Sequence, residues 1–581
     1  MALFWKHGLA TIASIAMVGA LVAGCGTNST SPAKNAPSGN NSSSDTGTAS
    51  TSGSKPIEGG SITLDSTQAV PDLDPAVAYD TTSGEVDAQI YQSLVTYDKN
   101  TYTIIPELAS SYTVSPNGLT YTFKIRKGVT FSNGDPLTAQ DFVFQLERIL
   151  DKNMTPKPSP GNSFFEIIKG ATAYYNGTAK TISGVSTPDK YTLVLTLSKP
   201  EKFFLQVLAM QFLSAVDPAY VKKVGNAAFD TTSAMGTGPF ELKTNNQNEV
   251  VLVKNPHYWQ KDKWGQTLPY LNQITININD NDQVDALHWE QGQTAFMSPW
   301  LIGGDGIPPS QYVTMMNTPK YKQLIQKQPA NSIFYIGLNT AKTINGKPNP
   351  LSNVLVRRAM EYGFDDSQFV KINNGAVLPL NEPLPSTMEG YVKNLNSNAK
   401  YSLNVAKAKQ LLAKAGYSKG LTVDLWDENT TVAREEDQAF QAMMKNIGIT
   451  VNIHDVTWKD FLSKAMSGTA QVCQSGWVQD FPDASDFLNT LFNSNQAPTN
   501  NLTNYDNPQV DKWLNEAQNN TNQAQRDQLY GKVINQVMAD AVWIPTVQMI
   551  DYYSVQPWVH GFYTSPVLFD PMASVWVDPG H

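Results

Sequence analysis

Cysteine is almost absent from this chain, since only Cys25 and Cys473 occur in 581 residues. A disulfide framework of the kind that holds small secreted domains together is therefore excluded, and a chain of this length is expected to stabilise itself by core burial. The length also exceeds that of one ordinary domain, so we expect two or three.

Clustered positive charge is missing as well. Lysine and arginine total 42 against 51 aspartates and glutamates, and the formal net charge is −9. No basic stripe interrupts this acidic background, whereas binding to phosphate backbones requires concentrated positive charge. The sequence therefore argues against a nucleic-acid partner.

Motifs for catalysis and metal binding are not found. The six histidines are scattered, and neither H-E-x-x-H nor G-x-S-x-G occurs. The stretch from Asn279 to Glu290 resembles a calcium loop only loosely, because Val284 stands where that loop requires glycine, and a solvated loop is the better interpretation. We therefore expect no metal and no cofactor, and an enzyme is unsupported, although catalytic triads can hide from sequence.

Residues 1–24 have the pattern of a signal peptide. Lys6 and His7 precede an apolar run that is shorter than a membrane-spanning helix usually needs. The residues "LVAGC" resemble a bacterial lipobox, which implies cleavage after Gly24 and a lipid on the sulfur of Cys25. The alternative is an ordinary signal peptide followed by an incidental cysteine.

Residues 25–56 are predicted to be a disordered polar tether that follows the lipidated cysteine. This segment is nearly all Ser, Thr, Asn, Gly, Pro and Ala. It cannot bury enough apolar area to offset its ordering entropy. As a coil it would span roughly 30 Å.

The rest of the chain alternates between strand and helix patterns. "LTYTFKIRKGVTFSNG" places Leu119, Tyr121, Phe123 and Ile125 on one strand face. "TAQDFVFQLERIL" predicts a helix with Thr138 as N-cap and Asp141 in a capping box. "SLNVAKAKQLLAKAG" predicts a helix from Ser402 that stops at Gly416, and "QRDQLYGKVINQVM" predicts another. Interspersed strands and helices without a repeat indicate an α/β body in more than one lobe.

One stretch, "SGWVQDFPDASDF", carries a carboxylate in an apolar setting. Asp480 lies between Trp477 and Phe481 in the sequence. Burying a carboxylate costs several kcal/mol unless a partner compensates it. The stretch therefore predicts a positive group opposite Asp480, unless Asp480 only caps a turn.

Several stretches, in order along the chain, resemble the oligopeptide- and dipeptide-binding proteins of peptide ABC importers, solute-binding family 5. They are Pro106–Leu150, "GTGPF", "NPHYW", "LSNVLVRRAMEYGFD", "AKAKQLLAKAGY" and "GWVQDFPDASDF". The resemblance implies an α/β, two-lobed periplasmic-binding-protein-like fold of class II, with three subdomains and a ligand cleft between the lobes. It also implies an extracytoplasmic lipoprotein of Gram-positive type.

The resemblance implies the following division of the body. Lobe 1 comprises residues 57–96, 215–331 and 542–581, a subdomain of residues 97–214 is inserted into it, and lobe 2 comprises residues 332–541. The strands "IFYIGLNT" and "VWIPTVQM" would cross between the lobes and allow closure around a ligand.

The resemblance also assigns ligand contacts. In the family an aspartate of the "GW…D" segment binds the free α-amino group of a peptide, and the matching residue here is Asp480. The segment Ser475, Gly476, Trp477 and Val478 would offer a strand edge to the peptide backbone, with Trp477 walling a side-chain pocket. Further contacts are expected from a second pocket tryptophan and from a lobe 1 loop, namely Trp458, Tyr79, Asp80 and Thr81.

Some of these residues have other interpretations. Trp458 is as well explained as a core residue. Asp483 and Asp486 are better explained as helix-start or surface acids, and Cys473 as a small buried hydrophobe. Ala465 and Gln474 stand where enteric oligopeptide binders carry two arginines that meet peptide carboxylates, so recognition of a peptide C-terminus is not predicted.

The function implied is a monomeric, lipid-anchored receptor that captures peptides and delivers them to an ABC importer. Its partners would be a peptide ligand, the permease subunits and the outer face of the cell membrane through Cys25. A non-peptide solute, such as a nickel chelate, haem or an oligosaccharide, stays open because fold does not fix ligand. An extracellular hydrolase is the third alternative, and it would need an acid/base pair or an activated nucleophile.

Overall fold

The structure is a computed structural model that describes residues 55–581, except 100, 280, 302–305, 521, 565, 566 and 568. For residues 282, 309, 310, 431, 458 and 459 it describes the backbone only. The predicted signal peptide, Cys25 and residues 26–54 of the predicted tether lie outside the described residues. Residues 56–581 form one compact unit. No helix in the described part is long and apolar enough to cross a membrane.

The described residues form strands and helices throughout the body. The strands are β1 (Ser61–Ser66), β2 (Val95–Tyr97), β3 (Ile104–Pro106), β4 (Ala109–Val114), β5 (Thr120–Ile125), β6 (Val185–Asp189), β7 (Thr192–Thr196), β8 (Phe240–Asn245), β9 (Glu249–Lys254), β10 (Gln273–Ile278), β11 (Phe296–Met297), β12 (Ile325–Leu338), β13 (Thr343–Ile344), β14 (Lys347–Pro348), β15 (Val377–Pro379), β16 (Leu421–Glu428), β17 (Ile449–Val456), β18 (Val472–Val478), β19 (Trp543–Val555), β20 (Val559–His560) and β21 (Trp576–Val577). The α-helices are α1 (Thr81–Ile90), α2 (Ala139–Ile149), α3 (Asn162–Phe165), α4 (Ala171–Tyr175), α5 (Phe204–Val207), α6 (Pro218–Val224), α7 (Asn226–Thr231), α8 (Asp282–Glu290), α9 (Pro309–Asn317), α10 (Pro319–Lys322), α11 (Val354–Gly363), α12 (Asp366–Ile372), α13 (Val405–Lys414), α14 (Thr431–Ile447), α15 (Trp458–Met466), α16 (Ala484–Phe492), α17 (Pro508–Gln518) and α18 (Gln523–Ala539).

Two four-stranded sheets lie in the first half of the body. One has the order β1-β10-β9-β8, with β1 parallel to β10. The other is antiparallel, in the order β4-β5-β7-β6. Its strand β5 buries Tyr121, Phe123 and Ile125 as the alternation predicts, whereas Leu119 precedes the strand and is half-buried. The capping box of Thr138 and Asp141 at the start of α2 is confirmed.

The largest sheet has seven strands, six of them in the order β11-β19-β12-β18-β16-β17, and β15 pairs with β19. Side chains of β12 alternate between two hydrophobic clusters on the two faces of the sheet. Ile336 and Leu338 pack in a cluster with residues of α11, α13 and α14. Ile333 and Tyr335 pack in a second cluster with residues of α16, α17 and α18.

The two long strands β12 and β19 pair antiparallel and take part in two cores. Ile336 and Ile544 belong to the large sheet's core, whereas Ile325 and Ile550 pack with the core around β1, β9 and β10. The chain thus has the two-lobed α/β fold that was predicted. The residue boundaries of the lobes stay predictions.

Two local predictions need correction. The helix predicted from Ser402 begins at Val405, because the Asn404 side chain accepts a hydrogen bond from the Lys407 backbone N–H and so caps it. Residues 279–290 are mostly the helix α8, capped by Asn281, and not a solvated loop. Among the described residues, no three or more His, Cys, Asp or Glu side chains are grouped to hold a metal ion.

Candidate ligand-binding site

Strand β18 has one edge that is paired only in part. Along its other edge β12 covers it fully, from Val472 opposite Leu338 to Val478 opposite Ser332. The pairing with β16 stops after Cys473, although β16 itself continues beside β17. From Gln474 onward, this edge has no strand partner among the described residues. Such an edge is a template for an added strand.

The predicted binding segment lies on this unpaired edge. Ser475, Gly476 and Trp477 are half-buried, and Val478 is 50% exposed. A Cβ at Gly476 would lie 2.9 Å from the Ile333 carbonyl oxygen, so a larger residue does not fit there. Successive side chains alternate, so Trp477 faces α16 while Gln474 faces α14.

Asp480 follows this edge and contacts a residue that was predicted to belong to lobe 1. The hydroxyl of Tyr79 donates a hydrogen bond to the Asp480 carboxylate, with 2.6 Å between Oη and Oδ1. Tyr79 lies in the loop before α1 and is 43% exposed. The structure therefore brings together two of the predicted site residues that are 401 positions apart.

Asp486 lies directly behind Asp480, in the first turn of α16. Its carboxylate accepts the Asp480 backbone N–H at 2.8 Å and the Trp477 indole N–H at 3.3 Å. Burial raises the pKa of Asp480 to about 6, although the Tyr79 hydrogen bond opposes that shift. Burial and the charge of Asp480 raise the pKa of Asp486 well above its ordinary value.

No cation compensates this pair within the part of the chain that the structure describes. No ion pair there involves Asp480 or Asp486. Arg526 is buried nearby in the fold, but its guanidinium holds both carboxylate oxygens of Asp483, at 2.7 and 2.6 Å. A positive charge placed beside these two carboxylates would favour their ionised form.

Asp483 and Asp486 were expected to be helix-start or surface acids, and only the position at a helix start is confirmed. Both stand at the start of a helix, since Asp483 is the N-cap of α16. Neither is a surface acid, because they are only 8% and 1% exposed. The signal that identifies Asp486 as part of the site is its contact with Asp480, which the sequence does not show.

Other predicted residues are less well placed. Asp80 caps α1 by accepting the Ser83 N–H at 2.9 Å, and Thr81 is the exposed first residue of that helix. Trp458 begins α15, but its side chain lies outside the described residues. Cys473 is buried as a free thiol, as expected for a small hydrophobe.

Residues 201–203 make long-range contacts near Asp480 that sequence reasoning missed. The rings of Phe203 and Phe481 stack with their centroids 4.7 Å apart. Next to this stack, the Gln518 amide donates to the Glu201 carboxylate at 2.8 Å. Residues 201–203 thus contact both the segment after β18 and helix α17.

Comparison with known proteins agrees with this architecture. Residues 103–499 match the family model described as bacterial extracellular solute-binding proteins, family 5. The chain belongs to this family. The match covers well over half of the sequence, and it confirms the family that the motifs indicated.

Named relatives cover nearly the same length. Heme-binding protein A of Haemophilus influenzae is 29% identical over 525 residues, which is 87% of this chain and 90% of that protein. The oligopeptide-binding protein OppA of Bacillus subtilis is 29% identical over 513 residues, covering 84% and 86%. The structure of the periplasmic binding protein DppA from Helicobacter pylori with the peptide STSA has a TM-score of 0.74 and 26% identity, covering 90% of this chain and 98% of that one.

Proposed function

We propose that this protein is a lipid-anchored receptor that captures peptides outside the cell and delivers them to an ABC importer. It has no catalytic step, and its cycle is binding, lobe closure, docking and release. Peptides are the class that unites the two features of the site, an unpaired strand edge and an uncompensated carboxylate. Relatives named for peptide binding support the same class.

The observation that carries the proposal is the position of Asp480. Every unblocked peptide has an ammonium group at one end, and a half-buried carboxylate such as Asp480 binds it through charge-assisted hydrogen bonds. Asp480 has the Tyr79 hydroxyl as a neighbour and no described cation. An incoming ammonium would hydrogen-bond to Asp480 and offset the repulsion between Asp480 and Asp486.

The unpaired edge of β18 would bind the backbone of the peptide beyond its amino end. Between Ser475 and Val478, the backbone N–H and C=O groups that point away from β12 are available to an extended ligand strand, because β16 pairs only as far as Cys473. Main-chain pairing gives affinity without selecting side chains. The site therefore suits a receptor that accepts many sequences.

Lobe closure would couple binding to delivery. Tyr79 contacts Asp480, and Phe203 contacts Phe481, across the predicted boundary between the lobes. A ligand held between such residues stabilises the closed form by its differential affinity for that form. A permease that recognises the closed form would then select loaded receptor.

Haem is the strongest alternative, since one relative is named for binding it. The propionates of haem are anionic at neutral pH. Asp480 and Asp486 would repel them, and the nearby Arg526 is taken by Asp483. The charge of the site therefore favours a cationic amine over haem.

Native mass spectrometry of purified protein, before and after mild unfolding, tests the proposal. Co-purified peptides released on unfolding are the expected result. Release of haem, a sugar or a metal chelate would overturn it. Incubation with intact peptides adds a second readout, because cleavage products would favour the hydrolase alternative.

A further inference from the structure

A second group of buried acids lies where β16 separates from β18. Asp427 comes from β16, and Glu436 and Asp437 come from the second turn of α14. Their exposed fractions are 5%, 6% and 0%. The neighbouring amides of Gln474 and Asn373 both donate to Glu436, the latter at 2.6 Å.

Among the described residues, this group has hydrogen-bond acceptors without a partner and no lysine or arginine paired with it. Oδ2 of Asp427 and Oε1 of Gln474 are buried without a hydrogen-bond partner in the described structure. Gln474 is itself only 5% exposed, and its amide points at Glu436. No described lysine or arginine forms an ion pair with any of these acids. Buried acceptors without a partner among the described residues could accept hydrogen bonds from a ligand.

Burial favours the protonated form of these acids. Burial raises the pKa of Asp427 to about 8, of Glu436 to about 7 and of Asp437 to about 9. Repulsion from neighbouring carboxylates, among them Asp455, adds to the pKa shifts of Asp427 and Asp437. The hydrogen bonds from Asn373 and Gln474 oppose the pKa shift of Glu436. A cation placed among them would favour the ionised form.

The group lies next to the unpaired edge of β18, to which the proposed peptide strand would be added. Val472 is in register with Leu425, and two residues further on Gln474 and Asp427 share the face that packs against α14. A strand added to the edge of β18 would point every second side chain toward this face. From Gln474 to Val478 the edge spans about 13 Å, so the acids lie several ligand residues from Asp480.

We propose that Asp427, Glu436, Asp437 and Gln474 form a subsite for a second cationic group of the ligand, so that preferred ligands are peptides with a lysine- or arginine-like side chain at about the third to fifth position. This rests on the proposed peptide function and adds a substrate class to it. Gln474 stands where the enteric oligopeptide binders carry an arginine, and here it is surrounded by acidic side chains. The far end of the site is thus built for a positive group.

Calorimetry with short peptides tests the subsite. The probes are pentaalanine hosts with a free amino end and lysine, norleucine or glutamine at each of positions two to five. Wild-type protein should bind the lysine peptide at least tenfold more tightly than its norleucine and glutamine counterparts at one or two of these positions. Equal affinity at all positions would overturn the subsite.

Isosteric variants show which residues are responsible. Glu436→Gln and Asp427→Asn should each reduce the lysine preference, with affinity for the norleucine peptide changed by less than threefold. Asp424→Asn is the matched control, since Asp424 lies on β16 but its side chain is 51% exposed and contacts Asn452 and His454 instead. If Asp427→Asn does not fold, Glu436→Gln alone decides. An undiminished preference in Glu436→Gln would overturn the assignment.

The same data separate the two proposals. Peptides that bind without discrimination would contradict only the subsite. If no peptide of the set binds wild-type protein, the peptide function itself fails and the subsite with it.

Discussion

The hydroxyl of Tyr79 lies 2.6 Å from a carboxylate oxygen of Asp480, and this hydrogen bond joins the loop before α1 to the segment after β18. It joins two residues of the candidate site that were predicted to lie on different lobes. We propose that the ammonium group of a peptide also binds Asp480. The first three predictions test the roles of Asp480 and Tyr79.

Asp480→Asn should weaken binding of a free-amine peptide by about 2–5 kcal/mol, because the amide keeps the shape but loses the charge. For the same reason wild-type protein should bind N-acetylated peptides poorly. Isothermal titration with matched free and acetylated peptides measures both effects. Equal affinities for the two peptides would rule out the amino-terminal role of Asp480.

Peptide affinity should fall in acid. The pKa of Asp480 is raised to about 6, and only its ionised form attracts an ammonium. The peptide amino group stays protonated below about pH 7.7, so the change comes from the protein. Below pH 6 the affinity should drop by about tenfold per pH unit. Asp480→Asn should lose most of this dependence, and a flat wild-type profile between pH 5 and 7 would contradict the assignment.

Tyr79→Phe should shift the ligand-free protein toward the open form. The substitution removes one hydrogen bond to a charged group, worth about 1.5–3 kcal/mol, while the ring contacts with Phe164 and Phe212 persist. Small-angle scattering of ligand-free protein should show a larger radius of gyration than for wild type. Both should reach the same radius with saturating peptide, and an unchanged ligand-free radius would show that Tyr79 does not hold the lobes.

The sequence predicted those features that depend on local residue patterns and on the order of motifs along the chain. Asp480 stood out because a carboxylate lay among aromatics, and the strand face of Tyr121, Phe123 and Ile125 followed from alternation. Burial of Asp483 could not be predicted, because its partner Arg526 lies 43 residues later. The unpaired edge of β18 was indicated only by resemblance, since the departure of β16 after Cys473 depends on long-range packing.

Cys25→Ser should release the protein from the membrane. Without the thiol of residue 25 no lipid can be attached to its side chain. Stable anchoring needs more than one acyl chain, so loss of this lipid should release the protein. Detergent phase partitioning of whole-cell extracts should move the variant from the detergent to the aqueous phase. Cys473→Ser is the control and should stay with wild type, because Cys473 is a buried free thiol in β18. A Cys25→Ser variant that still partitions with detergent would refute the anchor.

Arg526→Leu should destabilise the fold by about 3–5 kcal/mol, because it leaves the buried Asp483 carboxylate without its partner. Arg526 has no exposed side-chain surface, and its guanidinium also contacts the Tyr530 hydroxyl at 2.8 Å. Lys512→Ala is the matched control, since its pair with Glu516 is exposed and 3.9 Å long, and it should cost no more than about 0.5 kcal/mol. Urea unfolding followed by tryptophan fluorescence compares the two variants. Equal losses of stability in the two variants would mean that Asp483 and Arg526 do not form a stabilising buried pair at the start of α16.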